Sequence, residues 1–169
     1  PDEIFGGITR LGTNDFSATV LNGLSYQDID LQLADNAFEK LRKEAQDPKS
    51  KEIFSQGPDN ILKALGLLSH DEKPNIACLL LFGKDQALRD RLPNYYVQYQ
   101  VFGEGGELLK NERYSEPIAK LFPKLLEFPE MNRNSDEFRL RGQTYKIPEY
   151  PEDSRREALA NALVHRDYS

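Results

Sequence analysis

The sequence predicts an α+β fold: a helical N-terminal part, then a mixed sheet with packed amphipathic helices. Three stretches carry this. "DLQLADNAFEKLRKEA" sets Ala34, Ala37, Phe38, Leu41 and Ala45 in one helical stripe. "PNYYVQYQVFGEG" alternates Tyr95, Val97, Tyr99 and Val101 against Tyr96, Gln98, Gln100 and Phe102, the period of a strand. "NIACLLLFG" is a continuous apolar run of strand length, as expected for a strand buried on both faces. With 38% apolar and 10% aromatic residues among 169, the chain can bury a real core.

Residues 1 to about 28 are rich in Gly, Thr, Asn, Asp and Ser without a clear period, and read as an extended connector. Asp30 is the expected N-cap of the first helix, which runs to about Ala45. Pro48 stops it by biasing Asp47 out of helical geometry. A second helix opens at Gly57-Pro58-Asp59, carries Ile61, Leu62 and Leu65, and stops at Gly66. A polar turn around His70 to Pro74 leads to the apolar run ending at Phe82. The two helices, the turn and the apolar run therefore read as two helices packed on a sheet, with a winged-helix fragment over residues 58–82 as the alternative.

The alternating strand ends in "GEGGE", a turn whose glutamates would repel phosphate. Ser115 is the expected cap of an amphipathic helix built on Ile118, Leu121, Phe122, Leu125 and Leu126, with Pro123 kinking or ending it. "EFRLRGQTYKI" reads as a hairpin with Gly142 in the turn, Phe138 and Leu140 on one arm, Tyr145 and Ile147 on the other.

Charge and composition exclude several functions. The net charge is −6, and the basic residues (Lys40, Arg42, Lys43; Lys49, Lys51; Arg139, Arg141) sit among acidic neighbours. A main nucleic-acid-binding surface is not expected here, because such surfaces carry a positive excess. The single Cys78 cannot form an internal disulfide, and with two histidines and no Cys/His cluster no transition-metal site is expected. No apolar run approaches the roughly 20 residues of a membrane span, so no membrane role is expected and cytoplasm is the default compartment. The chain begins Pro1-Asp2-Glu3, with no initiator Met and no signal peptide, as expected of a piece of something longer.

The last helix is the most informative segment. In "SRREALANALVHRDYS", Glu157, Asn161 and His165 stack on one face, while Ala158, Leu159, Ala162 and Leu163 cover an arc facing a sheet. Two readings follow. In the structural one, Ser154 and Glu157 form a capping box, Asn161 is a surface amide, and His165 is a cation at the helix C-terminus. In the functional one, Glu157 and Asn161 suit nucleotide hydrolysis. The carboxylate positions and deprotonates a water, and the amide oxygen is a hard ligand for Mg²⁺ on the phosphates.

"YPEDSRREALANALVHRDYS" closely resembles a signature of bacterial RecG-related ATP-dependent DNA helicases and transcriptional regulators, which runs roughly P-x-x-x-x-R-E-A-x-x-N-A-x-x-H-R-D-Y-S. "GPDNILKALGLLSHDEKPNIACLLLFGKD" resembles the middle region of the same family. The resemblance covers residues 57 to 169. It implies an AlbA-like DNA-binding domain N-terminal to this segment and an ATP-binding domain of the GHKL class (gyrase, histidine kinase and MutL relatives) C-terminal to it.

On that resemblance Glu157 takes the general-base position and Asn161 the Mg²⁺-ligand position of an E-x-x-x-N motif. His165, Arg166 and Asp167 match the family signature without an assigned role. Val164 stands where histidine kinases often place a Lys. The adenine-binding D-x-G-x-G motif and the phosphate lid are not in this sequence, nor are Walker motifs.

The implied organisation is an extended connector (1–28), a helical subdomain (29–70), and an α/β part (71–169) running into the first helix of a GHKL-like domain. The implied whole protein binds DNA through other domains and ATP with Mg²⁺, with homo-oligomerisation as a further expectation. ATPase activity belongs to that whole protein, and the segment alone is expected to be inactive. The competing expectation is a non-catalytic interaction or dimerisation module.

Overall fold

The computed structural model describes residues 16–128, 135–140, 143–148, 151–166 and 168. The α+β class stands: helices α1 (Leu31–Glu44), α2 (Pro48–Phe54), α3 (Pro58–Ala64), α4 (Ile76–Phe82) and α5 (Asp85–Arg91) precede a hairpin, β1 (Val97–Phe102) and β2 (Leu108–Tyr114). Helix α6 (Ile118–Leu126), a second hairpin of β3 (Ser135–Leu140) and β4 (Gln143–Pro148), and α7 (Glu152–Val164) follow. The described strands form two separate antiparallel pairs, β1–β2 and β3–β4, rather than one mixed sheet. Of the expected connector, residues 1–15 lie outside the described residues. Phe16–Ala18 and Tyr26–Asp28 are 3-10 turns, the second closed by a capping box between Ser25 and Asp28.

Asp30 caps α1 as expected, accepting from the Leu33 N–H at 3.0 Å. Ala34 and Phe38 are buried, but Leu41 is 40% exposed because the stripe leaves the core towards the end of the helix. Asp47 is extended (ψ 151°) before Pro48, and its carboxylate accepts from the Ser50 N–H at 2.9 Å. The proline that stops α1 therefore starts α2, a helix absent from the sequence reading. Pro58 opens α3, and Gly66 at φ +70° closes it. There the Gly66 and Leu67 N–H groups donate back to the Lys63 and Leu62 carbonyls, a Schellman arrangement that favours glycine.

The apolar run 76–82 is a helix, not a strand, and with it falls the reading of two helices on a sheet. Ile76, Cys78, Leu79, Leu80 and Phe82 are buried. A helix enclosed nearly all round shows no amphipathic period, so its sequence resembles that of a buried strand. Asn75 decides the outcome, because its side chain caps α4 through the Cys78 N–H. Gly83 ends the helix where a Cβ would collide with the Leu79 carbonyl oxygen.

Residues between Leu24 and Tyr95 share one hydrophobic core, within which the Phe38 and Phe82 rings meet edge-to-face at 5.5 Å. Arg91 ties the N-terminal turns to α5, donating to the Asn22 and Gly23 carbonyls and pairing with Asp28 at 3.2 Å.

Burial pushes the Cys78 thiol up to about 12, against roughly 8.5 for a free cysteine. Above about pH 8.5 the unfolded chain gives up this proton and the folded chain keeps it. The resulting stability is present below that pH and is lost as pH rises towards 12. A thiol reagent at pH 8 should therefore label Cys78 only as fast as the protein opens, with full reaction in denaturant. Stoichiometric labelling within seconds under native conditions is the contrary result.

The alternation in β1 is as expected, with Gln98, Gln100 and Phe102 exposed and Val97, Tyr99 and Val101 half-buried. Its partner β2 was not legible in advance. The register runs from Val97↔Tyr114 to Phe102↔Leu108, with a bulge near the turn, where Gly106 takes φ +81°. The expected hairpin of "EFRLRGQTYKI" is β3–β4, pairing Phe138 with Tyr145, and Gly142 lies outside the described residues.

Helix α6 buries Leu121 and Leu125, and contains Pro123 three residues before its end. Ser115 does not cap it. Pro117 does, because Pro117 is extended (ψ 146°) and biases Glu116 likewise, so the helix starts only after it. Among the described residues no helix is long and apolar enough to cross a membrane.

Candidate functional site: the exposed face of the last helix

Helix α7 starts at Glu152, two residues before Ser154, so the expected capping box is absent. Pro151 is the N-cap, and no side chain caps this end among the described residues. The proline fixes the start because its ring presets φ and it has no N–H to leave unpaired. Glu152 and Asp153 in the first turn complement the positive end of the helix dipole.

Glu157, Asn161 and His165 are all exposed, on one face as their spacing requires. The His165 N–H donates to the Asn161 carbonyl at 3.0 Å, closing the helix. The arc expected to face a sheet is placed differently. Leu163 is buried, Leu159 and Ala160 are half-buried, and Ala158 and Ala162 are exposed. Among the described residues the helix packs chiefly on α6.

Arg166 acquires a clear structural role. Its guanidinium donates to the Tyr96 carbonyl, at the start of β1, and lies 5.2 Å from the Tyr96 ring and 5.4 Å from the Tyr168 ring. The Tyr168 hydroxyl donates to the Leu163 carbonyl at 2.6 Å, and its ring lies 5.9 Å from Tyr95. Tyr95 in turn donates to the Glu116 carbonyl at 2.8 Å. Burial raises the pKa of both tyrosines, which keeps their hydroxyls protonated as donors. Arg166 and Tyr168 thus clasp the end of α7 to the body of the protein, and Asp167 lies outside the described residues.

The clasp borders a cleft of about 280 Å³ walled by Phe16, Leu80, Ile118, Val164 and Tyr168 among others. Neither Glu157 nor Asn161 belongs to its walls. The two candidate residues stand on an open helix face. An exposed amide oxygen one turn from a carboxylate suits Mg²⁺, which takes few protein ligands and keeps waters or phosphate oxygens. Among the described residues no three His, Cys, Asp or Glu groups gather as a metal site, so Asn161 would hold the ion only together with a bound phosphate.

The DIP2311 protein from Corynebacterium diphtheriae, a crystal structure, superposes with a TM-score of 0.61 at 19% identity. The match covers 96% of this chain and 30% of that one, so this chain spans under a third of that protein's length. At this identity the likeness concerns the fold alone. None of the curated proteins compared with the chain matches it. Residues 9–98, more than half of the chain, match the family described as "Domain of unknown function (DUF8451)", and the chain belongs to that family.

Proposed function

We propose that this chain is the central segment of a longer bacterial, cytoplasmic transcriptional regulator related to the RecG-like helicases, which binds DNA through other domains and ATP with Mg²⁺ through a site that α7 begins. The observation supporting this is the placement of Glu157 and Asn161. They stand one turn apart, exposed on a helix whose other side is fixed by Leu163, Arg166 and Tyr168. A clasp of this kind holds the polar face at a constant angle while leaving it free to meet another part of a domain.

In this reading Asn161 contributes one oxygen to Mg²⁺, and the ion would neutralise phosphate charge. Glu157 orients and deprotonates the attacking water as general base. This segment alone has half of the binding surface and is inactive.

The test is titration of the parent protein with a fluorescent ATP analogue and Mg²⁺. Glu157→Ala with Asn161→Ala should weaken binding at least about 100-fold, the scale of losing a metal contact. Both residues are exposed, so the melting temperature should move little. Binding that survives the double substitution, or a parent that never binds the analogue, rejects the reading.

A second reading, a non-catalytic interaction module, is favoured by a different observation. Phe102, Leu108 and Leu109 cluster at the turn end of the β1–β2 hairpin and are 58%, 49% and 56% exposed. Three adjacent exposed large apolar side chains are a mark of protein contact.

A further inference from the structure

The β1–β2 hairpin is a two-stranded sheet, and among the described residues no strand pairs with the outer side of β2. The start of β1 is different, because the Arg166 guanidinium reaches the Tyr96 carbonyl there. An open edge is normally guarded, often by a lysine projecting past it. The only lysine of β2 does not do this. Lys110 folds onto the inner face, its ammonium 4.6 Å from the Phe128 ring and 5.4 Å from the Tyr99 ring, and pairs with Glu112 at 3.7 Å.

We infer that the outer edge of β2 is a dimerisation surface whose occupant is β2 of a second copy, paired antiparallel about a two-fold axis at Asn111. This rests on the interaction-module reading and is independent of the nucleotide one.

The register follows from faces and charges. Lys110, Glu112 and Tyr114 turn to the half-buried side of the strand, and Asn111 and Arg113 to the exposed side. Residues opposite each other in an antiparallel pair project to the same side, so the two-fold axis must pass through a residue and not between two. Centred on Lys110, the pairing sets two ammonium groups opposite each other. Centred on Glu112, it opposes two carboxylates, and like charges directly opposite are unfavourable.

Centred on Asn111, Lys110 faces Glu112 of the second copy and Glu112 faces its Lys110. Two within-strand pairs then become a square of alternating charge. Leu109 lies opposite the aliphatic stem of Arg113, which covers an apolar side chain that is 56% exposed in the monomer. Pairing ends near Leu109, where the register shift in the hairpin bends the strand. The product is a four-stranded sheet, β1–β2–β2–β1, with one set of polar side chains (Gln98, Gln100, Asn111, Arg113) on its outer face.

Five residues from each copy make a small interface, below the size of a tight complex. Light scattering should therefore show monomer near about 1 μM and dimer near about 500 μM. Lys110→Glu should shift the chain to monomer across this range, and adding Glu112→Lys should restore the dimer. Asn111→Cys under mild oxidation should form a disulfide-linked dimer, since the paired Cα atoms would lie about 4.5–5.5 Å apart and Cys78 is buried.

A wild-type chain that stays monomeric at the upper concentration overturns the inference. So does a dimer that persists in Lys110→Glu without the Asn111→Cys cross-link, which would place the interface elsewhere. Capture of a different protein by a chain that remains monomeric would keep the interaction-module reading and sink this one.

Discussion

Phe38→Ala should cost about 3–5 kcal/mol of folding stability, the usual range for emptying a phenylalanine from a core. The ring is 2% exposed, and it meets Phe82 at 5.5 Å with the planes 76° apart. It therefore joins α1 to α4 near the middle of the core. Alanine there leaves a void between helices that cannot close without moving both caps, Asp30 and Asn75. Domains of this size are commonly stable by about 5–15 kcal/mol, so the variant would be marginal at 37 °C. The measurement is urea unfolding followed by circular dichroism, with the midpoint falling and the slope unchanged. Leu41→Ala on the same helix is the internal control. Leu41 is 40% exposed, and its loss should cost under about 1 kcal/mol. Equal effects at the two positions would mean that α1 does not pack through Phe38.

Much of the fold was legible where a single signal had a single meaning. Asp30 before a helical stripe, Pro58 in a first turn, and Gly66 after a last turn each name one conformation, and each is found there. β1 was legible because one of its faces is half-buried and the other exposed, which writes a period of two into the sequence. The run 76–82 failed for the converse reason, since burial on most sides erases the period that separates strand from helix. The cue that was present is Asn75 after Pro74, a helix-start signal, in front of Leu and Ala, which favour helices. β2 gave no warning because "LLKNERY" gains its strand character from the partner across the turn and the Lys110–Phe128 contact.

At the last helix the sequence was sufficient for part of the site. The common face of Glu157, Asn161 and His165 follows from 100° per residue and needs nothing else. The clasp does not, because the partner of Arg166 is a backbone carbonyl 70 residues earlier. A main-chain acceptor has no residue type, so no motif could have named it. The resemblance at the end of the sequence singled out Arg166 without a reason, and the contact with Tyr96 supplies one that does not involve a nucleotide. Arg166 and Tyr168 therefore orient the helix, and Glu157 and Asn161 are what its exposed face presents.

Asn75→Ala is expected to be the most damaging polar substitution, at about 2–4 kcal/mol, combining loss of an N-cap with loss of a part-buried bond to the Gly66 carbonyl. Asn75 is a buried polar residue of the core, 3% exposed, and both ends of its amide are engaged. The oxygen accepts from the Cys78 N–H at 3.0 Å, and the nitrogen donates to the Gly66 carbonyl at 2.8 Å. The first bond starts α4 and the second fastens it to the end of α3, so one side chain fixes the angle between the two helices. Two further variants separate these roles. Asn75→Ser keeps a capping oxygen but is too short to reach Gly66, and should recover about 1 kcal/mol. Asn75→Asp keeps the cap but presents a carboxylate to the Gly66 carbonyl from a position only 3% exposed. At neutral pH it should be worse than serine, because a buried charge facing an acceptor has no compensating donor. Its deficit should shrink as pH falls and the carboxyl protonates to become a donor, the sign expected for a group whose folded-state pKa is raised. Thermal melts of the three variants at pH 5 and pH 7.5 check this. An aspartate variant as stable as wild type at both values would show that the bond to Gly66 contributes nothing and that the cap on the Cys78 N–H is the whole polar role of this position.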